Sequence, residues 1–266
     1  MTTPEAEVTP RRGLLTKSRL ITAAVVGVIV VALVVITQML AHQAQARMVA
    51  MFPDDVVKDA ALTKMAISMA KPTFASHCAS CHGADMKGDQ KKGAPNLADN
   101  IWLFDFGHVS DIEMTVLYGV RSGLGKSRNI TDMPGLGLSG QLYPYEVKDA
   151  TKYVLYLSTG KTDDQEAIKR GAAIFQDKGV CYDCHSSDAQ GNSDYGAPGF
   201  TDKDWLYGGD YDTIYHSIYY GRHGKCPAWV DKLSAAQIRA MAVYLYVNSH
   251  KPTPTQSASA HDTHIG

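Results

Sequence analysis

Five cysteines are the residues in this sequence best suited to chemistry, and four of them form two pairs of the same spacing. Each pair has the form Cys-x-x-Cys and is followed at once by a histidine, which gives the sets Cys78, Cys81, His82 and Cys181, Cys184, His185. A Cys-x-x-Cys pair alone is compatible with a zinc half-site or a redox dithiol, whereas Cys-x-x-Cys-His is typical of c-type haem attachment. The sequence therefore predicts two covalently bound haem c groups, with His82 and His185 as proximal iron ligands.

A sixth ligand for the first iron must come from downstream of its motif. Met133 is the preferred candidate because the proline after it, Pro134, would hold the thioether rigidly. Histidine and methionine together raise the reduction potential of haem iron, which suits electron transfer. Competing candidates are His108 and Met114, and Met114 is expected at a core position of a helix.

The fifth cysteine, Cys226, aligns with Met133 through the proline that follows each of them. Three interpretations stay open for the second iron. Cys226 ligates it as a thiolate, because a bound metal lowers the pKa of a thiol. Alternatively, His223 is the ligand. In the third interpretation the position is open or weakly held, and Cys226 is a small buried thiol.

The chain contains an internal repeat with an offset of 103 residues, the distance from Cys78 to Cys181. Segments that keep this spacing are Gly93-Ala94-Pro95 with Gly196-Ala197-Pro198, and Trp102-Leu103-Phe104 with Trp205-Leu206-Tyr207. An arginine, Arg121 or Arg222, follows a Tyr-Gly pair in each copy and is a candidate partner for haem propionates. Shared spacing through unlike sequence indicates a duplicated module of about 100 residues, long enough for its own core.

Short helices are predicted throughout the repeats, without strands. A first helix should end at each haem motif, with Phe74 and Phe175 packed inward. Ser234-Ala235-Ala236-Gln237 is a capping box that begins the last helix. A linker is predicted near 158–164, where Ser, Thr, Gly and Asp cluster.

Residues 20–41 form an uncharged apolar run, which as a helix of about 33 Å would cross a bilayer core. Basic residues precede it at Arg11, Arg12, Lys17 and Arg19, so the positive-inside rule places the N-terminus in the cytoplasm and the haems in the periplasm. A cleaved signal peptide is the alternative, because Ala44-Gln45-Ala46 is typical of a cleavage site. The net charge of −1 gives no basic field for nucleic acid.

The predicted fold is all-α, with one N-terminal transmembrane helix followed by two tandem haem domains. The predicted segments are a cytoplasmic N-terminus (1–19), the anchor (20–41), a stem (42–70), two haem domains (71–158 and 165–250) and a disordered tail (251–266) that contains His261 and His264.

The second repeat resembles the dihaem subunit III of cbb3-type cytochrome c oxidases. The specific stretches are Trp205-Leu206-Tyr207-Gly208-Gly209 and the run from Gly221-Arg222 to Pro227-Ala228-Trp229. Two features depart from that family. The segment before the first haem motif carries one plain anchor, and Cys226 stands where the family has its second-domain methionine.

The resemblance implies two tandem class I cytochrome c domains, tethered to the membrane, that pass electrons to a haem–copper oxidase. The expected function is therefore electron transfer in a respiratory chain, as a subunit or donor of a terminal oxidase rather than as a stand-alone catalyst. Expected partners are a terminal oxidase, a quinol–cytochrome c reductase, or both, and a soluble cytochrome c. An alternative function is oxidation or reduction of a small sulfur compound at a Cys-ligated haem, and another is gas sensing at an open sixth position.

Overall fold

The computed structural model describes residues 13–128, 132–202 and 204–250. Within these ranges the chain is helical and has no β-strand, only isolated bridges, so the all-α prediction is confirmed. The predicted tail at 251–266, the N-terminal residues 1–12, the three residues 129–131 and residue 203 lie outside the described residues.

The first helix, α1, spans Gly13–Ala50 and is longer than the predicted anchor. Its segment Arg19–Ala50 is long and apolar enough to cross a membrane. Leu, Ile and Val side chains between 20 and 40 are about half exposed or more, as expected for a surface that lipid covers. The anchoring expected from the sequence is consistent with this helix.

From Met48 to His250 the described residues fold as one compact body. A 3₁₀ helix at Pro53–Lys58 opens it. Its α-helices are α2 (Ala60–His77), α3 (Ala79–His82), α4 (Val109–Tyr118), α5 (Pro144–Thr159), α6 (Gln165–Gln176), α7 (Tyr182–His185), α8 (Tyr211–Tyr220) and α9 (Ala235–Ser249). As predicted, α2 and α6 lead into the two haem motifs, Phe74 and Phe175 are buried, and Ser234 and Gln237 form a capping box at the start of α9.

The two repeats exchange their last helices. Helix α9 of the second repeat packs against α2 and α4 of the first, whereas α5 of the first repeat packs against α6 and α8 of the second. Ring contacts mark both pairings, between Phe74 and Tyr244 and between Tyr153 and Phe175. The expectation that each repeat builds a core of its own is therefore wrong.

The physical reason lies in the connection between the repeats. Helix α5 ends at Thr159 and α6 begins at Gln165, so only the five residues 160–164 join them. Helices joined by so short a connection pack as antiparallel neighbours. The predicted linker at 158–164 is thus the turn of a helical hairpin, and it brings the end of the first repeat into the core of the second.

Two small antiparallel bridges hold the crossing segments together. Val120 pairs with Cys226, and Met133 pairs with Arg222, each through two backbone hydrogen bonds of 2.9–3.2 Å. A glycine with positive φ precedes each bridge, Gly119 at 71° and Gly221 at 80°. A Cβ on either glycine would collide with the carbonyl oxygen of the other repeat's Cys226 or Met133. Glycine is therefore required where the segments cross.

A buried arginine ties α9 to the start of the body. The Arg239 side chain is 8% exposed and its Nε donates to Glu113 Oε2 at 2.9 Å. Its Nη1 donates to the carbonyls of Met48 and Met51 at 2.9 and 2.8 Å. The charge is thus paired, and Nε and Nη1 both donate, as burial of a guanidinium requires.

Candidate haem sites

The two proximal histidines have the same local geometry. His82 Nδ1 lies 3.1 Å from the carbonyl oxygen of Pro95, and His185 Nδ1 lies 2.9 Å from that of Pro198. A carbonyl only accepts, so Nδ1 carries the proton in each ring and Nε2 is left free for a metal. This second interaction fixes the ring orientation of a metal ligand.

Both histidines are also held neutral. Burial lowers the pKa of His82 and of His185, against a smaller opposing effect of the proline carbonyls. A neutral imidazole is the form that binds iron. The Gly-Ala-Pro segments, predicted to line each haem, thus supply through Pro95 and Pro198 the acceptors that position the histidines.

Met133 lies at the second haem site, not the first. It packs against the buried cluster that includes Phe175, Ile214 and Ile218. It also lines one apolar cavity together with His185 and the attachment cysteines Cys181 and Cys184. The exchange of helices carries the Met-Pro loop across, because this loop directly precedes α5.

Cys226 lies at the first haem site. Burial raises the pKa of Cys226 to about 11, with a further contribution from the neighbouring thiol of Cys81. The segment after it reaches the same place, because the Trp229 ring lies 5.0 Å from the His77 ring, directly before Cys78. Met133 therefore lies at the second haem site and Cys226 at the first. The expected pairing of Met133 with the first haem and Cys226 with the second is wrong.

The alternative ligands lie elsewhere. His223 Nδ1 is 2.9 Å from Asp132 Oδ2, and its side chain is 60% exposed. Met114 is 42% exposed on α4 rather than in the core, and His108 is exposed at the start of that helix. These positions give no structural support to any of the three as an iron ligand.

Arg121 and Arg222 both line the second cavity. Arg121 Nε lies 3.1 Å from Asp132 Oδ1, and the Arg222 guanidinium lies 4.2 Å from the centre of the Tyr207 ring. The first repeat's arginine has therefore also crossed to the second site. Their pairing with haem propionates stays a prediction.

The residues present fit haem at both sites. Trp102 Nε1 is a buried donor without a hydrogen-bond partner among the described residues, which suits a nearby haem carboxylate. The second site offers an apolar cavity that contains both cysteines, the histidine and the methionine. Haem c, when bound, supplies reversible one-electron exchange at its iron.

Some functional features were missed by sequence reasoning. The proline carbonyls have no side-chain signature, and the exchanged ligands follow from packing. The five-residue connection between α5 and α6 was the available signal for the exchange, since it favours contact between those helices.

Comparison with known proteins finds one matching domain around each haem motif. Residues 68–158 match the family model described as cytochrome c. Residues 166–245 match the one described as cytochrome C oxidase, cbb3-type, subunit III. Each match contains one haem-attachment motif, so two covalently bound haem c groups are supported.

Similar curated proteins carry the same family name. The cbb3-type cytochrome c oxidase subunit FixP of Bradyrhizobium sp. (strain ORS 278) is 41% identical over 192 residues, which cover 72% of this chain and 64% of that protein. The cbb3-type subunit CcoP of Cereibacter sphaeroides is 36% identical over 191 residues, with 72% and 64% covered. FixP of Azorhizobium caulinodans is 37% identical over 195 residues, with 73% and 63% covered.

The match thus spans about 64% of the length of the first two of these relatives. All three are named as oxidase subunits, which does not favour the sulfur-compound oxidoreductase interpretation. Two haem motifs, two matched cytochrome c domains and these relatives lead to one conclusion: the chain is a dihaem c-type cytochrome related to subunit III of the cbb3-type cytochrome c oxidases.

Proposed function

We propose that the chain relays electrons in a respiratory chain, as a membrane-anchored subunit or donor of a terminal oxidase. The observation that carries this proposal is the presence of two haem sites in one compact unit, each with a neutral, oriented histidine. The names of its relatives support an oxidase as the partner. A quinol–cytochrome c reductase and a soluble cytochrome c are the proposed electron donors.

The proposed location is the bacterial inner membrane, crossed once by α1, with the N-terminus in the cytoplasm and the haem sites in the periplasm. The basic residues before the apolar run support this orientation. Protease treatment tests it: the haem-bearing part should be digested in spheroplasts and protected in inside-out vesicles. The opposite pattern would reverse the orientation.

The proposed axial ligands are His82 with Cys226 at the first haem and His185 with Met133 at the second. The Cys-x-x-Cys pairs hold the two porphyrins through thioethers. The sequence units remain 71–158 and 165–250, although their final helices are exchanged. In this assignment the cysteine replaces methionine at the first haem alone, so the two irons are expected to differ in potential.

An oxidase assay tests the function. The full chain, purified from membranes in mild detergent, should co-purify with a haem–copper oxidase and restore oxygen consumption to membranes that lack the chain. A double variant without His82 and His185 should restore nothing. If the chain neither binds an oxidase nor reduces one, the relay proposal is wrong.

Spectroscopy tests the ligands separately. Replacing Cys226 by Met should raise the potential of one haem and change its paramagnetic-resonance signal, because a thiolate adds negative charge to the iron. Met133→Ala should change the other haem and so identifies it as the second. If Cys226→Met leaves both haems unaltered, Cys226 is not a ligand.

A further inference from the structure

The two repeats touch through a reciprocal contact that involves an aromatic ring and a glycine. A Cβ built on Gly93 would collide with the Tyr207 ring, and one built on Gly196 would collide with the Phe104 ring. Each ring therefore lies directly on the glycine of the other repeat's Gly-Ala-Pro segment. These are the segments whose proline carbonyls orient the two histidines.

Tyr207 makes contacts beyond this shared arrangement. It lines the cavity that contains His185 and Met133. Its hydroxyl also reaches the loop that carries Cys226, because a Cβ on Gly224 would lie 2.8 Å from Tyr207 Oη. The guanidinium of Arg222 covers the ring at 4.2 Å. The ring is thus clamped among parts of both sites.

Tyr207 consequently touches the second haem cavity, the proximal loop of the first haem at Gly93 and, at Gly224, the loop that carries Cys226 and also lines the second cavity. Protein interiors are close-packed, so a displaced ring moves its neighbours. The potential of a haem iron depends on burial and on the hydrogen bonds around its ligands. A change in the position of this one ring is therefore expected to alter the potentials of both haem irons.

We propose that Tyr207 is a positioning residue shared by the two haem sites, through which a change at one site alters the other. The proposal rests on the haem function proposed above. It predicts that the two haems are coupled by protein packing as well as by their mutual charge.

Substitution of Tyr207 in the full, haem-loaded chain tests this directly. In an optical redox titration that resolves both haems, Tyr207→Leu should shift both potentials, with that of the second haem falling because water enters its cavity. Tyr207→Phe keeps an aromatic ring on Gly93, in the same way that Phe104 lies on Gly196. The potential of the second haem in this variant should therefore stay close to that of the unaltered chain. A shift at the second haem alone would overturn the proposal.

A substitution in the other repeat gives the sharper result. Gly93→Ala, in the proximal loop of the first haem, should displace the Tyr207 ring and change the potential of the second haem. Gly140→Ala is the matched control, since its φ of 76° is also positive and no atom lies within 4 Å of the added Cβ. It should change neither haem.

The double variant Gly93→Ala, Tyr207→Leu shows whether the effect of Gly93→Ala on the second haem passes through Tyr207. Leucine relieves the collision, so Gly93→Ala should then add less to the second haem's shift than it does alone. Additive shifts would mean that the effect does not pass through Tyr207. Haem content separates the two proposals: fewer than two haems per chain contradicts the function, whereas two haems without cross-effects contradict only the coupling.

Discussion

Asp99 and Asp204, one from each repeat, are partners in the folded protein. The pKa of Asp99 is raised to about 7, mainly by burial and further by Asp204 and Asp202, against the hydrogen bond from Ile101 N–H, which lowers it. An unfolded aspartic acid has a pKa of about 4. The folded chain therefore holds an extra proton between about pH 4 and 7, and its stability falls as the pH rises through that window.

The contribution of Asp99 to the free energy of unfolding should accordingly be smaller at pH 8 than at pH 5, and Asp99→Asn should remove this difference. Asparagine keeps an acceptor for the backbone N–H of Ile101, which Asp99 Oδ1 now accepts at 3.0 Å. Urea titration of the haem-loaded chain at pH 5 and pH 8 measures the difference in the free energy of unfolding. Asp163→Asn, at an exposed carboxylate, should retain the full difference. An undiminished fall with pH in Asp99→Asn would contradict the assignment.

At the scale of the elements, the two antiparallel bridges, Val120 with Cys226 and Met133 with Arg222, each depend on a preceding glycine. Gly221→Ala places a Cβ against the backbone of Met133 at a φ of 80°. Left-handed backbone alone costs about 1–3 kcal/mol, and the collision adds to it. We expect a loss of more than about 2 kcal/mol in the free energy of unfolding, measured by urea titration. Gly140→Ala, which meets no neighbour, should cost about 1 kcal/mol. Equal losses would show that the crossing is not tightly packed.

The Arg239–Glu113 ion pair is a second contact between elements, because it joins α9 to α4. Arg239→Met leaves the Glu113 carboxylate, only 14% exposed, without its guanidinium. Breaking such a pair costs about 3–5 kcal/mol. The double variant with Glu113→Gln should recover part of this loss in the same urea titration. No recovery would mean that the contacts of Arg239 with the carbonyls of Met48 and Met51 dominate.

Sequence reasoning predicted the helices better than their partners. The haem motifs, the buried Phe74 and Phe175, and the cap at Ser234 follow from local spacing, which acts over a few residues. The choice between α5 and α9 does not, because both helices end equivalent repeats and present similar tyrosine-rich sequences. Tertiary packing decides it, and the five-residue connection favours the exchanged form.

At the scale of the whole molecule, one haem unit is inserted into the other. Residues 132–221 contain the Met133 loop, α5, α6, α7 and α8, and so supply both proposed ligands and most of the lining of the second haem site, to which Arg121, Arg222 and Gly224 are added from outside the segment. The first site needs residues from both sides of that insertion. Neither unit coincides with a sequence repeat.

Two fragments distinguish these boundaries. A fragment of residues 132–221, exported with a signal peptide, should incorporate one haem and fold, because it contains both proposed ligands and the helices that pack around them. A fragment of residues 165–250 should fail, because its α9 would lack α2 and α4. Haem content and circular dichroism provide the measurement. A stable haem-bearing 165–250 fragment would contradict the exchanged arrangement.

Because one haem unit is inserted into the other, the two haem sites are completed in a fixed order during synthesis. A chain emerges from the ribosome with its N-terminus first, so the first haem motif appears well before the second. The loop with Cys226 and helix α9, which complete the first site, emerge after the whole of the second unit. Residues 132–221 are complete before that. The pocket that begins first is therefore finished last, and its cysteines stay accessible to the attachment machinery while the second unit is already closing.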